Sequence, residues 1–210
     1  MTNSTFVSEV SICNQALGWI GADSITSLDD DNTTAELCKL NYPHLRDTLL
    51  EERQWTFAVL RHTSETADEP EFGMGFVHSI PPEYLRVSRV YNDVTSFDIN
   101  RWRTSVGWRR EGDKIIAREN QIHMWGTERV TDTSKFSIMF VQCLAARIAA
   151  DLCVPIANNL PLQAKMYQIY LAKLKDAAAS DGAQGSNEVV QANKLIDARA
   201  RFFDGGFSNG

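Results

Sequence analysis

The sequence predicts an α+β chain: a helical bundle with an inserted small antiparallel β subdomain and an extended C-terminal segment. Three observations point to this class. Apolar residues recur at steps of three and four over Ser8 to Ile20, over Ala35 to Leu49 and again beyond Lys135. Between these blocks the spacing changes to alternation, with Leu85 and Val87 set against Arg86 and Ser88. From Ser180 the chain turns small, polar and glycine-rich. The helical body is therefore assigned to residues 1–58 and 134–182, the β-rich insert to 59–133, and a C-terminal helix with a flexible tail to 183–210. With 210 residues, 43% of them hydrophobic, the chain can bury one good core, and two compact subdomains are the upper limit.

In chain order, the first helix carries Val10, Cys13, Leu17 and Ile20 on one face and stops at Gly21. The acidic run Asp29 to Asn32 leads into Thr33 and Glu36, which have capping-box spacing. A second helix follows to about Arg53, with Ala35, Cys38, Tyr42, Leu45 and Leu49 inward, and Pro43 is expected to kink or split it. Trp55 and Phe57, at strand spacing, are expected to plug an aromatic pair into the core. The segment Thr63 to Gly75 reads as mobile. Strands are predicted over Tyr84 to Tyr91, Trp102 to Arg109, Lys114 to Arg118 and Ile122 to Val130, with a hairpin turn at Glu111-Gly112-Asp113. Helix returns over Lys135 to Val154 and Pro161 to Ala179. Ser180 to Asn187 is then expected to be a flexible connection to a last helix, Glu188 to Arg201.

Charge narrows the function classes. The formal net charge is −6, which disfavours a dedicated nucleic-acid binder built on clustered Lys and Arg. Residues 1–72 hold 13 acidic and 4 basic side chains, whereas residues 83–118 hold 8 basic and 5 acidic. Such asymmetry suits a subunit that meets different partners at its two ends, although a solvated acidic face is the commoner origin of such runs. Cys13, Cys38, Cys143 and Cys153 sit among apolar neighbours without a C-x-x-C pair and read as buried thiols in a reducing compartment. The N-terminal residues lack a basic segment followed by an apolar run, so no secretory signal is expected. Phe136 to Pro155 is apolar, but Gln142, Arg147 and Asp151 interrupt it, and Arg147 can pair with Asp151 one turn on. It reads as the central buried helix, and no membrane partner is expected.

Motifs for catalysis are missing from the sequence: there is no phosphate-binding G-x-x-x-x-G-K-[ST], no G-x-S-x-G and no H-E-x-x-H. The run Asp29 to Glu36 lacks the glycine and terminal glutamate of a calcium loop and reads as a helix cap. His44, His62, His78 and His123 have no i, i+4 partner for a shared metal. Glu51 and Glu52 are adjacent on a helix and point about 100° apart, which does not suit an acid–base pair. No catalytic residue, metal or cofactor is expected. The aromatic and basic residues Arg101, Trp102, Arg103, Trp108, Arg109, Arg110 and Trp125 suggest a partner interface, since Trp and Arg dominate interface hot spots. Stacking of single-stranded nucleic acid is the alternative use of such a set.

The run Ala16-Leu17-Gly18-Trp19-Ile20-Gly21, then Ile25-Thr26-Ser27-Leu28, and a helix with Ala35, Cys38, Tyr42, Arg46-Asp47 and Leu49-Leu50 closing on Trp55-Thr56-Phe57-Ala58 resembles a known family. It is similar to tail tubular protein A, the head-to-tail adaptor of short-tailed bacteriophages. Beyond residue 58 the resemblance rests on the order of elements. It implies a virion structural protein of the neck and tail, assembled in the host cytoplasm. Its subunits would form a dodecameric ring between the portal protein and the tail nozzle protein, with double-stranded DNA passing through in transient, non-specific contact. Within that expectation Phe202, Phe203 and Phe207 are candidates for docking on the portal, and Glu36 and Asp47 for facing the channel. A head-completion connector of another tailed phage is the nearest alternative. A virion-associated glycan hydrolase is the alternative of a different class.

Overall fold

The computed structural model describes residues 7–64, 68–71, 73, 75–94, 103–104 and 107–185. They form a mixed α+β fold of four helices and two small antiparallel sheets. The helices are α1 (Glu9–Ile20), α2 (Thr33–Glu52), α3 (Ile138–Ala157) and α4 (Leu160–Gly185). Between α2 and α3 lie β1 (Val59–Ser64), β2 (Phe76–Ser79), β3 (Tyr84–Asp93), β4 (Arg103–Thr104), β5 (Arg109–Glu111), β6 (Lys114–Ala117) and β7 (Ile122–Glu128).

The helical body is built around α3. Phe140, Cys143, Leu144, Ala145, Ala146, Ile148, Ala149, Leu152 and Cys153 are buried, so that the helix is apolar on nearly every side and α1, α2 and α4 pack against it. Its mean hydropathy of 1.6 over a long enough window would suffice to cross a membrane, yet most of that surface is covered by the rest of the chain. Ser137 caps its first turn by accepting from the Phe140 N–H at 3.2 Å. The predicted Arg147–Asp151 pair is present at 3.6 Å, and the Arg147 guanidinium also lies 5.4 Å from the ring centres of Tyr167 and Tyr170 on α4. Cys13, Cys38, Cys143 and Cys153 are all buried and free. The Cys13 and Cys38 thiols hydrogen-bond across α1 and α2, and that bond together with burial pushes Cys13 above the ordinary thiol range.

Several local expectations are corrected. Asn32, not Thr33, caps α2, because its side chain accepts from the Ala35 N–H at 2.8 Å. Pro43 does not split α2: it sits on the exposed side, where the Lys39 carbonyl that loses its donor opens towards water. Trp55 and Phe57 do not form a strand: Trp55 immediately precedes a 3-10 turn, Thr56–Ala58, and Phe57 is its middle residue. They enter the core as foreseen, in a cluster with Phe136 and Phe140 whose centroids are 4.7 to 6.0 Å apart. The Trp55 indole N–H donates to the Leu49 carbonyl at 2.8 Å, which satisfies its one polar atom.

Helix α4 runs on through residues 180–185, where a flexible connection was expected. The Asp181 carboxylate holds it there, accepting from the Thr56 N–H at 3.1 Å and the Thr56 hydroxyl at 2.8 Å, with Arg53 Nη2 3.8 Å away. A buried carboxylate with several donors resists fraying of the turn that carries it. The expected helix Glu188 to Arg201 lies outside the described residues.

The insert comprises two sheets where one was expected. The larger has the order β1-β7-β3-β4 and the smaller β2-β6-β5. The predicted strand Trp102 to Arg109 is divided between them, since Gly107 at φ 83° breaks the extended run. β1 and β2 were not foreseen, and Thr63 and Ser64, assigned to a mobile segment, pair with His123 and Ile122. The predicted turn is present: Glu111 pairs with Lys114 across Gly112-Asp113, with Gly112 at φ 61°. Tyr84, Val87, Val90, Ile115, Ala117, Ile122 and Met124 close a second core between the sheets. Leu85, next to Tyr84 on β3, faces the other way and joins the helical core.

Gly126 marks the tightest point of the larger sheet. A Cβ placed there would lie 2.0 Å from the Arg86 carbonyl oxygen and 2.9 Å from Val87 Cα, both backbone atoms of β3. Gly126→Ala is therefore expected to force β3 and β7 apart and lower stability by about 1–3 kcal/mol in urea unfolding. Loss of amide protection should be concentrated in β3 and β7.

Candidate interaction surfaces

The outward face of the larger sheet carries an aromatic residue between two cations. Trp125 on the inner strand β7 is in register with Arg61 on β1 and Arg89 on β3. The two guanidinium carbons lie 5.9 and 5.1 Å from the indole ring centre, within cation–π range. Tyr91 stacks against Trp125 at 6.2 Å, and its hydroxyl accepts from Arg89 Nη1 at 3.4 Å. Register explains the arrangement: residues directly opposite on adjacent antiparallel strands share a face.

Only part of the predicted aromatic and basic set comes together. Trp125 stands in the larger sheet, whereas Arg109 and Arg110 stand on β5, at the edge of the smaller one. Arg109 pairs with Glu111 at 2.6 Å, and Arg110 Nε donates to the Gly112 carbonyl at 2.9 Å. Trp108 is half-buried and packs against the β core. Arg103 lies in the backbone of β4; Arg101 and Trp102 lie outside the described residues, as do Phe202, Phe203 and Phe207. Arg61 and Arg89 were missed by sequence reasoning. Their only signal was one basic residue at an outward position in each neighbouring strand, legible once strand pairing is known.

Glu36 and Asp47, the predicted channel-facing acids, occupy different settings. Glu36 is exposed in the first turn of α2. Asp47 joins the helical body to the insert: it pairs with Arg46 Nη2 at 2.7 Å and accepts from Arg129 Nε at 3.1 Å, just beyond β7. A second link runs from Arg86 Nη1 on β3 to the Glu51 carbonyl at 2.9 Å. Arg46 is nearly buried, so Asp47 is its necessary counter-charge.

The other candidate groups take structural positions. Buried His78 is held by Ser64 Oγ at 3.0 Å and the Glu119 carbonyl at 2.9 Å, while His62 is exposed. The Glu52 carboxylate accepts from the Tyr170 hydroxyl. In the acidic turn, Asp29 pairs with Lys39 at 2.7 Å. Asp30 accepts from the Thr26 and Ser27 N–H groups and the Thr26 hydroxyl, and these donors hold its carboxyl below the usual range. Among the described residues no three His, Cys, Asp or Glu side chains gather as a metal site.

Among the described residues, apolar exposure is concentrated on the helices. Ile138 is 78% exposed, Leu160 67%, Leu40 63%, and Tyr167 and Leu171 41% each. Leu171, Leu174, Lys175 and Ala178 of α4, with Glu52 and Arg53 at the end of α2, line an open groove of about 390 Å³.

No protein-family model matches the chain, and no curated protein matches it.

Three variants test these assignments. Asp47→Ala leaves Arg46 without its counter-charge and frees Arg129; a loss of about 1.5–3 kcal/mol is expected in urea unfolding. Glu36→Gln at an exposed site should stay within about 0.5 kcal/mol of the parent. The third variant concerns pH. A carboxyl whose folded pKa is depressed contributes stability that is fully present above its unfolded value, about 3.9, and is lost as pH falls through the folded value. The Asp30→Asn variant should therefore lose Tm less steeply than the parent between about pH 4 and pH 2, by calorimetry.

Proposed function

We propose that this chain is a structural subunit of a virion, a component of the ring that adapts a capsid portal to the tail nozzle in a short-tailed bacteriophage. It acts through surfaces, with no catalytic step of its own. The observation that carries this reading is the set of large apolar side chains left in solvent on the helical body: Leu40, Ile138, Leu160, Tyr167 and Leu171. Among the described residues Leu40, Ile138, Leu160 and Leu171 stand outside the core around α3, and self-association covers such residues.

The division of labour within the chain supports the same reading. A ring subunit needs a stiff body to pack on its neighbours and a separate part to meet the next component of the tail. The four helices supply the first. The two-sheet insert, with Trp125 between Arg61 and Arg89, supplies a second surface of the composition found at protein–protein hot spots. The acidic helical body, with Glu36 exposed, suits a bore through which DNA slides without being gripped.

Electron cryo-microscopy of the full chain mixed with a portal from a short-tailed phage tests the proposal. The expected result is a twelve-fold ring seated on the portal, with the insert directed away from it. A chain that remains monomeric and ignores the portal at micromolar concentrations overturns the reading.

A further inference from the structure

The outward face of the larger sheet is cationic, although the chain as a whole carries a formal net charge of −6. Strand register lays two rows across it, Arg61–Trp125–Arg89 and Thr63–His123–Tyr91. Neither row holds a carboxylate. Arg61 and Arg89 are exposed, and Trp125 and His123 half-buried. The Trp125 indole N–H has no acceptor among the described residues, so the face is short of acceptors. Towards the helical body, Arg86 adds a further guanidinium opposite Thr127 and donates to the Glu51 carbonyl at 2.9 Å.

The arrangement of the two arginines decides which anion fits. Each comes from a strand next to β7, so they flank the indole, and at the usual strand spacing their backbones stand about 10 Å apart. A guanidinium laid against an aromatic ring keeps its N–H edge for a partner, and contact with the ring already restricts the side chain, so little further freedom is lost on binding. The same contacts disfavour nucleic acid. Base stacking requires an open aromatic face, whereas the indole has Arg61 and Arg89 at its faces and Tyr91 stacked against it. A duplex, with a phosphate charge about every 1.7 Å of axis, would also run on over the acidic part of the chain, since residues 1–72 hold 13 acidic and 4 basic side chains. An acidic stretch of protein can meet the ladder alone.

Resting on the reading of the insert as a partner surface, we infer that the Arg61–Trp125–Arg89 ladder is a carboxylate-binding site for an acidic segment of a second protein, with one carboxylate on each guanidinium. Trp125 is the positioning residue: it holds the two arginines at a set spacing and makes no ionic contact itself. Charge-assisted bonds from the planar guanidinium forks fix the direction of approach as well as the sign of the partner.

Fluorescence anisotropy of a labelled oligoglutamate peptide with the full chain, at low ionic strength, tests the inference, with circular dichroism as the control for folding. The double variant Arg61→Gln with Arg89→Gln is expected to weaken binding about tenfold. Arg110→Gln with Arg118→Gln removes the same charge from exposed positions off the ladder and is expected to stay within about twofold of the parent. Trp125→Leu keeps both charges and is expected to weaken binding about threefold, because the arginines are no longer held; unchanged affinity overturns the positioning role. Equal losses in the two double variants overturn the site in favour of overall charge. Tighter binding of a single-stranded or duplex DNA, lost in the Arg61 and Arg89 variant, overturns it in favour of nucleic acid. A parent that seats as a ring on the portal and ignores the peptide overturns this inference alone. A parent that binds the peptide through the ladder and ignores the portal supports it and overturns the ring reading alone.

Discussion

The burial of α3 is the constraint on which the rest depends. A helix that is apolar on nearly every side has to be surrounded, and α1, α2 and α4 are the surround. Its run of alanines, Ala145, Ala146, Ala149 and Ala150, lets neighbouring backbones approach closely, while Phe140 near its start anchors the aromatic cluster with Trp55, Phe57 and Phe136. That cluster sits where the chain leaves α2 for the insert and where it returns to α3. The two crossings between body and insert are therefore pinned by the same group of rings.

Polar contacts then set the orientation of the parts. Asp47 and the Glu51 carbonyl on α2 receive Arg129 and Arg86 from the insert, and Asp181 on α4 receives Thr56 at the entrance to β1. These contacts link residues 35 to 125 positions apart in the chain. Each combines a charged group with directional hydrogen bonds, which restrict geometry more sharply than apolar contact does. Leu85 adds an apolar tie, because β3 turns Leu85 into the helical core and its neighbours Tyr84 and Val87 into the β core.

Seen this way, the surfaces left over are as informative as the cores. Among the described residues, the helical core closes without Leu40, Ile138, Leu160 and Leu171, which stay exposed. An adaptor requires this kind of surplus: contacts along a ring and contacts to what lies above and below it. The proposal for the function draws on that surplus.

Helical spacing in the sequence was enough to place α1, α2, α3 and α4 as far as Ala179, because a period of 3.6 records which residues one helix hides. Alternation and the Gly112 turn were enough for β3, the β5–β6 hairpin and β7. Tertiary structure decided what depends on residues distant in the chain. β1 was invisible because Arg61, His62 and Thr63 are exposed and acquire strand character only by pairing with β7. The end of α4 was read as a linker because Asp181 stabilises it through Thr56, far back in the sequence. The basic residues next to Trp108 in the chain were taken as its functional neighbours, yet the cations at Trp125 come from two other strands. Local periodicity determines which face of an element is apolar; which other element lies against that face is set by long-range register and charge pairing, and these have no local signature.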